Sequence, residues 1–302
     1  NDNGTPANSC LASNTITVGG VPSKWAIIQE SAEVYLIAPG GVDLGSNLLV
    51  EQKGVLHVAL SVMPPIHMVQ LNDTGITTCS LEYANGLPCP VLEFGYLGYP
   101  GQDAEYGRDV TYPNYSDGHA GFSFTKLDTK GNSVSPDATN WSCVKDNVTG
   151  LTWEVKTDDG DLHDKDDLYN WYNTDSATNG GDPGYADDDG DICHGYDSGD
   201  PTTFCNTEAY VARVNGVGWC GYRDWRMPTK EELRTLLDYS IAYPGPTIDT
   251  DYFPNDGGAG VLSASPNAAN SDLAWVLSFR SGYDSLYYKY DRSHVRLVRH
   301  GQ

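Results

Sequence analysis

The run CGYRDWRMPTKEELRTLLDYS, from Cys220 to Ser240, holds the strongest local folding signals in this chain. Thr229 follows Pro228 and precedes Glu232 by three residues, so a T-x-x-E capping box starts a helix there. Leu233, Leu236 and Leu237 come next at helical spacing, which gives that helix one apolar face to bury. Working outward, Thr207 to Asn215 reads as a second helix, with Tyr210, Val211 and Val214 on one face. Asp164 to Asn173 reads as a third, with Leu168, Trp171 and Tyr172 on one face. Strands are expected at Thr149 to Glu154, Leu273 to Phe279 and Val295 to Arg299, so this half of the chain is mixed α and β.

Other blocks stand around this run in a fixed order: FTKLDTKGN from Phe124, WSCVKDNVTGLTWEVKT from Trp141, IDTDYFPN from Ile248 and VRLVR ending at Arg299. The ordered series resembles the Lcl C-terminal domain family, a bacterial extracellular family related to C-type-lectin-like folds. TGITTC and PGQDAEYGRD resemble lead-in sequences that precede that domain, which attaches residues 66–119 to the C-terminal half. The resemblance implies an α+β fold class: a C-type-lectin-like C-terminal domain over residues 120–302, beside a strand-rich, all-β N-terminal module. The usual sugar-selecting triplets, Glu-Pro-Asn and Gln-Pro-Asp, are absent, and no cysteine follows Cys220 to bridge to the last strand.

Eighteen Lys and Arg stand against 41 Asp and Glu in 302 residues, a net charge of -23. Such a surface repels phosphate backbones and anionic membranes, so neither nucleic acid nor a membrane surface is expected as a partner. No apolar run is long enough to span a bilayer, and nothing at Asn1 reads as a signal peptide; the numbering is expected to begin at a mature end. Seven cysteines without a CxxC pair or zinc spacing point to disulfides and an exported, extracellular or cell-surface protein. Local spacing pairs Cys79 with Cys89 and Cys193 with Cys205. That leaves Cys143 to meet Cys220 inside the domain that resembles the family, and Cys10 over as a free thiol or a link to another chain. Sequons at Asn3, Asn72, Asn114, Asn140 and Asn147 are candidate glycosylation sites.

Residues 1–14 are small and polar and read as a flexible arm. From 15 to 65 short period-two stretches alternate with Gly19-Gly20, Pro39-Gly40-Gly41, Gly45-Ser46-Asn47 and Lys53-Gly54, expected as tight reversals between strands. So few strands cannot close a large core alone. The segment Thr15, Ile16, Thr17 and Val18 is short, β-prone and set behind the arm, as a strand donated to a neighbouring copy would be. That reading makes the chain a self-associating subunit of a homo-oligomer or filament; pairing of the segment within its own chain is the competing expectation.

In the acidic loop DPGYADDDGDICHGYDSGD (182–200), Asp187, Asp189 and Asp191 alternate around Gly190, the spacing of oxygen ligands that a calcium ion needs. The glycine set Gly216, Gly218 and Gly221 matches a dinucleotide fingerprint by letter, but a helix precedes it where a strand is required, so it reads as a helix exit. Asp224, Arg226, Glu232, Arg296 and Arg299 read as an arginine stacked on a tryptophan or as ion pairs tying a helix to the last strand. The histidines at 57, 67, 119, 163, 194, 294 and 300 match no catalytic or metal-ligand motif, and no nucleophile motif occurs, so no enzyme is expected. The sequence therefore points to a non-enzymatic structural or adhesive surface protein. The alternative is a calcium-dependent carbohydrate-binding module, with Trp219 or Trp225 stacking on a sugar.

Overall fold

The computed structural model describes residues 72–89, 102–187, 190–256 and 260–300, together with the backbones of the strands between residues 9–59 and 92–97. The chain divides into two compact units, Asn1–Met68 and Val69–Gln302.

The first unit is made of seven short strands: β1 (Ser9–Leu11), β2 (Ile16–Val18), β3 (Ala26–Ile28), β4 (Glu33–Ile37), β5 (Val42–Leu44), β6 (Leu48–Val50) and β7 (Val55–Ala59). Among the described residues its pairings are parallel and join strands three apart in sequence order: β1 with β4, β4 with β7, β2 with β5 and β3 with β6. Hairpins between sequential strands would have been antiparallel. The ladder is instead that of a parallel β-solenoid, in which each coil pairs with the next. Ser9–Leu11, expected inside a flexible arm, is a strand, because backbone pairing with Tyr35, Leu36 and Ile37 supplies an order that local composition does not. The glycine-bearing turns between these strands lie outside the described residues.

The second unit is α+β. It opens with two small antiparallel pairs, β8 (Cys79–Leu81) with β9 (Ala84–Leu87) and β10 (Leu92–Glu93) with β11 (Tyr96–Leu97), followed by the single-turn helices α1 (Asp103–Tyr106) and α2 (Arg108–Thr111). Its main sheet is antiparallel, in the order β12 (Phe124–Leu127), β13 (Cys143–Asp146), β14 (Leu151–Glu154) and β18 (Val298–His300). A second antiparallel sheet runs β15 (Gly260–Pro266), β16 (Leu273–Ser278) and β17 (Tyr283–Tyr288). Helix α3 (Thr207–Val217) starts at Asn206, whose side chain accepts from Ala209 N–H, and stops at Gly218 in the left-handed region. Helix α4 (Lys230–Arg234) carries the complete capping box of Thr229 and Glu232.

Among the described residues two large apolar cores lie in this unit, with a smaller cluster around Cys79 and Ala104. One gathers Phe122, Phe124, Trp153, Leu233, Leu236, Leu237, Phe253 and Phe279; the other gathers Tyr169, Trp171, Tyr210, Val214, Trp225 and Leu262 around two disulfides. Asp164 to Asn173 is not the expected helix. Tyr169 N–H donates to Ser293 O at 2.9 Å, Asn170 N–H to Cys205 O at 2.9 Å and Trp171 N–H to Lys289 O at 3.0 Å, so distant chain takes up the hydrogen bonds that a helix would keep to itself. Residues before 120 are stitched to the same body. Tyr239 N–H donates to Thr74 O at 2.8 Å, and Asn72 Nδ2 donates to Asp146 at 2.6 Å and to Thr235 O at 3.1 Å.

Candidate functional site

A cleft of ≈ 790 Å³ opens on the second unit between the loops 115–119, 136–141 and 249–252. Trp141 is its aromatic wall, and its placement is fixed twice. Its indole N–H donates to Tyr252 O at 2.9 Å, and the ammonium of Lys126 lies 3.7 Å from the ring centroid while donating to the carbonyls of Pro136 and Ala138 at 2.8 and 3.1 Å. Tyr252 packs on Phe124 with centroids 5.2 Å apart, which ties the opposite wall to β12. Tyr115, Asp137, Asp249 and Asp251 also line the cleft, adding an aromatic ring and three carboxylates. Burial raises the Asp249 carboxyl above its ordinary range, reinforced by the charges of Asp251 and Asp238, and it pushes the Tyr252 hydroxyl up to about 12. His119 closes one end, its Nδ1 2.7 Å from Asp238.

A buried charge network lies under the β14 end of the main sheet. Glu154 Oε1 meets Lys156 Nζ at 3.2 Å, His163 Nδ1 at 2.7 Å and the hydroxyl of Tyr210, and Oε2 accepts Leu297 N–H at 2.8 Å. Burial alone would push the Glu154 carboxyl up, but the charge of Lys156 and the bonds from His163 and Tyr210 hold it well below the usual carboxylate range. The same burial pulls Lys156 below the ordinary lysine value. His163 stacks on Trp219 with centroids 3.7 Å apart, and both line a hollow of ≈ 300 Å³ with Thr157, Asp159, Asp161, Leu162, His194 and Val217.

A third polar group joins the lead-in region to the body. Asp109 N–H donates to the buried Asp73 at 3.0 Å, and Asp73 also sits against Gly107 and Gly121, where a Cβ would come within 2.8 and 2.5 Å of its Oδ2. Burial first, and then the charge of Asp73, raise the carboxyls of Asp103 and Asp109. A carboxyl raised in the folded state costs stability progressively as pH rises through its folded pKa, whereas at acid pH it is protonated and neutral. Asp109→Asn is therefore expected to raise the melting temperature at pH 7 and to leave it unchanged near the ordinary value of 3.8; calorimetry at the two pH values checks this.

Among the described residues the disulfides are Cys79–Cys89 and Cys193–Cys205, the pairs named from spacing, and Cys143–Cys220, the pair left to the domain that resembles the family; Cys10 stands in β1. Asp187 accepts from the hydroxyl of Tyr196 at 3.2 Å and Asp191 is exposed, while Asp189 lies outside the described residues. The guanidinium of Arg292 lies against Gly190, where a Cβ would come within 2.6 Å of it. Among the described residues no group of three or more His, Cys, Asp or Glu is gathered as a metal ion would need. Ile16, Thr17 and Val18 pair with Val42, Asp43 and Leu44 of their own chain, and Thr15 lies outside the described residues. Asn114, Asn140 and Asn147 are exposed, Asn72 is half-buried with its amide spent on Asp146 and Thr235, and Asn3 lies outside the described residues.

Of the two tryptophans expected to stack on a sugar, Trp225 is not placed for it and Trp219 is half-buried. Trp225 is buried in the core with its indole N–H on Trp219 O, and Trp219 is covered on one face by His163. The charged residues of the DWRMPT block form ion pairs, Arg226 with Glu232 at 2.6 Å and Asp224 with Arg299 at 2.7 Å, and Arg296 of the last block pairs with Asp256 at 3.0 Å. Arg299 stacks on Tyr222, not on a tryptophan, 3.7 Å from the ring centroid. Sequence reading missed the cleft and the hollow, because their walls come from segments far apart in the chain. One signal was present: Glu154 and Lys156 are two apart beside a strand, so both point to the same side.

The model of the Lcl C-terminal domain family matches residues 142–299, just over half of the chain. No curated protein and no solved structure matches it.

Proposed function

From the premise that this chain belongs to the Lcl C-terminal domain family, and is thus a bacterial surface-associated protein, we propose that it is a non-enzymatic adhesin whose second unit binds carbohydrate in the Trp141 cleft. The observation that carries this reading is the wall itself: an indole fixed by Tyr252 O and by the Lys126 ammonium, facing a row of carboxylates in a cleft large enough for an oligosaccharide. Sugar rings offer an apolar C–H face to an aromatic ring and hydroxyls to carboxylates, and a wall held in place before binding loses little entropy on binding. A C-type-lectin-like architecture, implied by the resemblance, accords with such a role. The cleft supplies its hydrogen-bonding groups from side chains, so calcium is not required between protein and sugar.

The test is a glycan array probed with the full chain, with and without chelator, followed by titration of the best ligand. Trp141→Ala is expected to weaken binding by about tenfold or more, and chelation to leave it unchanged. Lys126 keeps both of its carbonyl acceptors in this variant, so the fold is retained, as circular dichroism will report. Equal binding by Trp141→Ala would remove the cleft from the reading. Release of reducing ends from the bound glycan would show that the protein is an enzyme.

A further inference from the structure

We propose that strand β17 is a self-association surface, which pairs antiparallel with β17 of a second copy across a two-fold axis and joins two three-stranded sheets into one of six. The two larger sheets of the second unit have four edges, and their own chain occupies three of them. At β12, Lys126 O accepts Val134 N–H at 3.0 Å; at β18, Val298 and Arg226 exchange both backbone bonds at 2.9 and 3.0 Å. At β15, Leu262 N–H donates to His294 O at 2.9 Å and Ala264 N–H to Pro228 O at 2.6 Å, and a bulge precedes Pro266. Among the described residues no strand pairs with the outer edge of β17. That edge also lacks the devices that blunt a free strand: its sequence YDSLYY contains neither Pro nor Lys, its register with β16 is unbroken, and all of its residues but Asp284 are exposed.

The free edge is complementary to itself. Lys289 N–H donates to Asp272 O at 2.9 Å, in line with the β16 ladder, so the odd-numbered residues of β17 bond to β16 and the N–H and C=O of Asp284, Leu286 and Tyr288 turn outward. Asp291 takes both groups of Tyr288: its carboxylate accepts Tyr288 N–H at 3.0 Å, and its own N–H donates to Tyr288 O at 2.8 Å. The outward N–H and C=O of Asp284 and Leu286 have no partner among the described residues. One register satisfies all of them in both copies. Asp284 lies opposite Leu286 of the second copy, Leu286 opposite its Asp284, and the two Ser285 residues face each other on the axis. The capped Tyr288 ends the ladder on both sides and so fixes that register. On one face it sets Tyr283, 73% exposed, against Tyr287 of the second copy, 39% exposed, an aromatic cross-strand pair formed twice. The net charge of -23 opposes association, but Asp284, the one carboxylate in the strand, is matched by Lys230 of its own chain at 3.3 Å.

The test is oxidative cross-linking of the full chain beside sedimentation velocity over a concentration series up to about 300 µM. Cross-linking is done in a Cys10→Ser background, which removes the cysteine left outside the three disulfides. Antiparallel pairing puts the two Ser285 Cα atoms about 4.5 Å apart, within reach of a disulfide. Ser285→Cys is therefore expected to give a covalent dimer at least about tenfold faster than Ala268→Cys, an exposed position in the turn between β15 and β16. Leu286→Pro removes an outward donor and leaves the bonds between β16 and β17 in place. It is expected to sediment as a monomer with an unchanged circular dichroism spectrum, where the parent chain gives a concentration-dependent dimer. A parent chain that is monomeric throughout, a dimer undiminished in Leu286→Pro, or cross-linking of Ser285→Cys no faster than the control would overturn the proposal. If Leu286→Pro does not fold, Ser285→Cys decides.

Discussion

Glu154→Gln is expected to lower the unfolding free energy by about 3–5 kcal/mol, the cost of removing one partner from a buried ion pair. The glutamine is nearly isosteric, so no cavity forms, but Lys156 is left as a buried cation whose remaining partner is the hydroxyl of Tyr210 at 3.1 Å. The amide can satisfy only part of a set that now comprises Lys156, His163, Tyr210 and Leu297 N–H. Six of the seven tryptophans lie between Trp141 and Trp275, so fluorescence-detected urea unfolding reports this unit. A loss under about 1 kcal/mol would mean that the network contributes little beyond packing. The pH dependence has a definite sign. Because the folded-state value of Glu154 is depressed, its contribution is complete above the ordinary glutamate value of 4.5 and fades as pH falls toward the folded value. The gap between wild type and Glu154→Gln should therefore narrow below pH 4.5.

The second large effect concerns the Cys143–Cys220 disulfide, which spans 77 residues and ends in the core next to Trp225. Chain entropy assigns a loop of that length about 4.5 kcal/mol, against about 3 kcal/mol for Cys193–Cys205, whose separation is 12. The double variant Cys143→Ala, Cys220→Ala is thus expected to fall below Cys193→Ala, Cys205→Ala in urea midpoint. The short loop can still reform its local hydrogen bonds, such as Asp197 N–H to Thr203 Oγ1 at 2.9 Å. Equal losses from the two removals would show that strain or native packing, and not loop length, sets the contribution of each bond.

What could be read from the sequence was what is local. The capping box at Thr229 and Glu232 and the glycine-rich exit of α3 depend on residues within about one turn of each other, and the structure places them where the pattern did. The segment from Asp164 to Asn173 shows the limit. Its apolar spacing is helical, yet Tyr169, Asn170 and Trp171 bond to Ser293, Cys205 and Lys289, partners that no window of neighbouring residues contains. The candidate sites failed to appear for the same reason. Trp141 becomes a wall only because Tyr252 O comes to its indole nitrogen, and His163 joins Trp219 only through the fold that brings α3 beneath β14. In the first unit β2, β4, β5, β6 and β7 were visible as period-two stretches, but β1, β3 and the parallel partners were not, because the sequence marks the turns and not which strand each turn leads to.

That parallel ladder constrains how such a unit can change over time. With paired strands three apart in sequence order, duplicating three consecutive strands leaves each later strand on its own ladder, whereas losing one strand shifts every later strand onto a neighbouring ladder. Gene duplication can therefore lengthen this unit only in whole coils, and its reach is a quantity inherited in fixed steps.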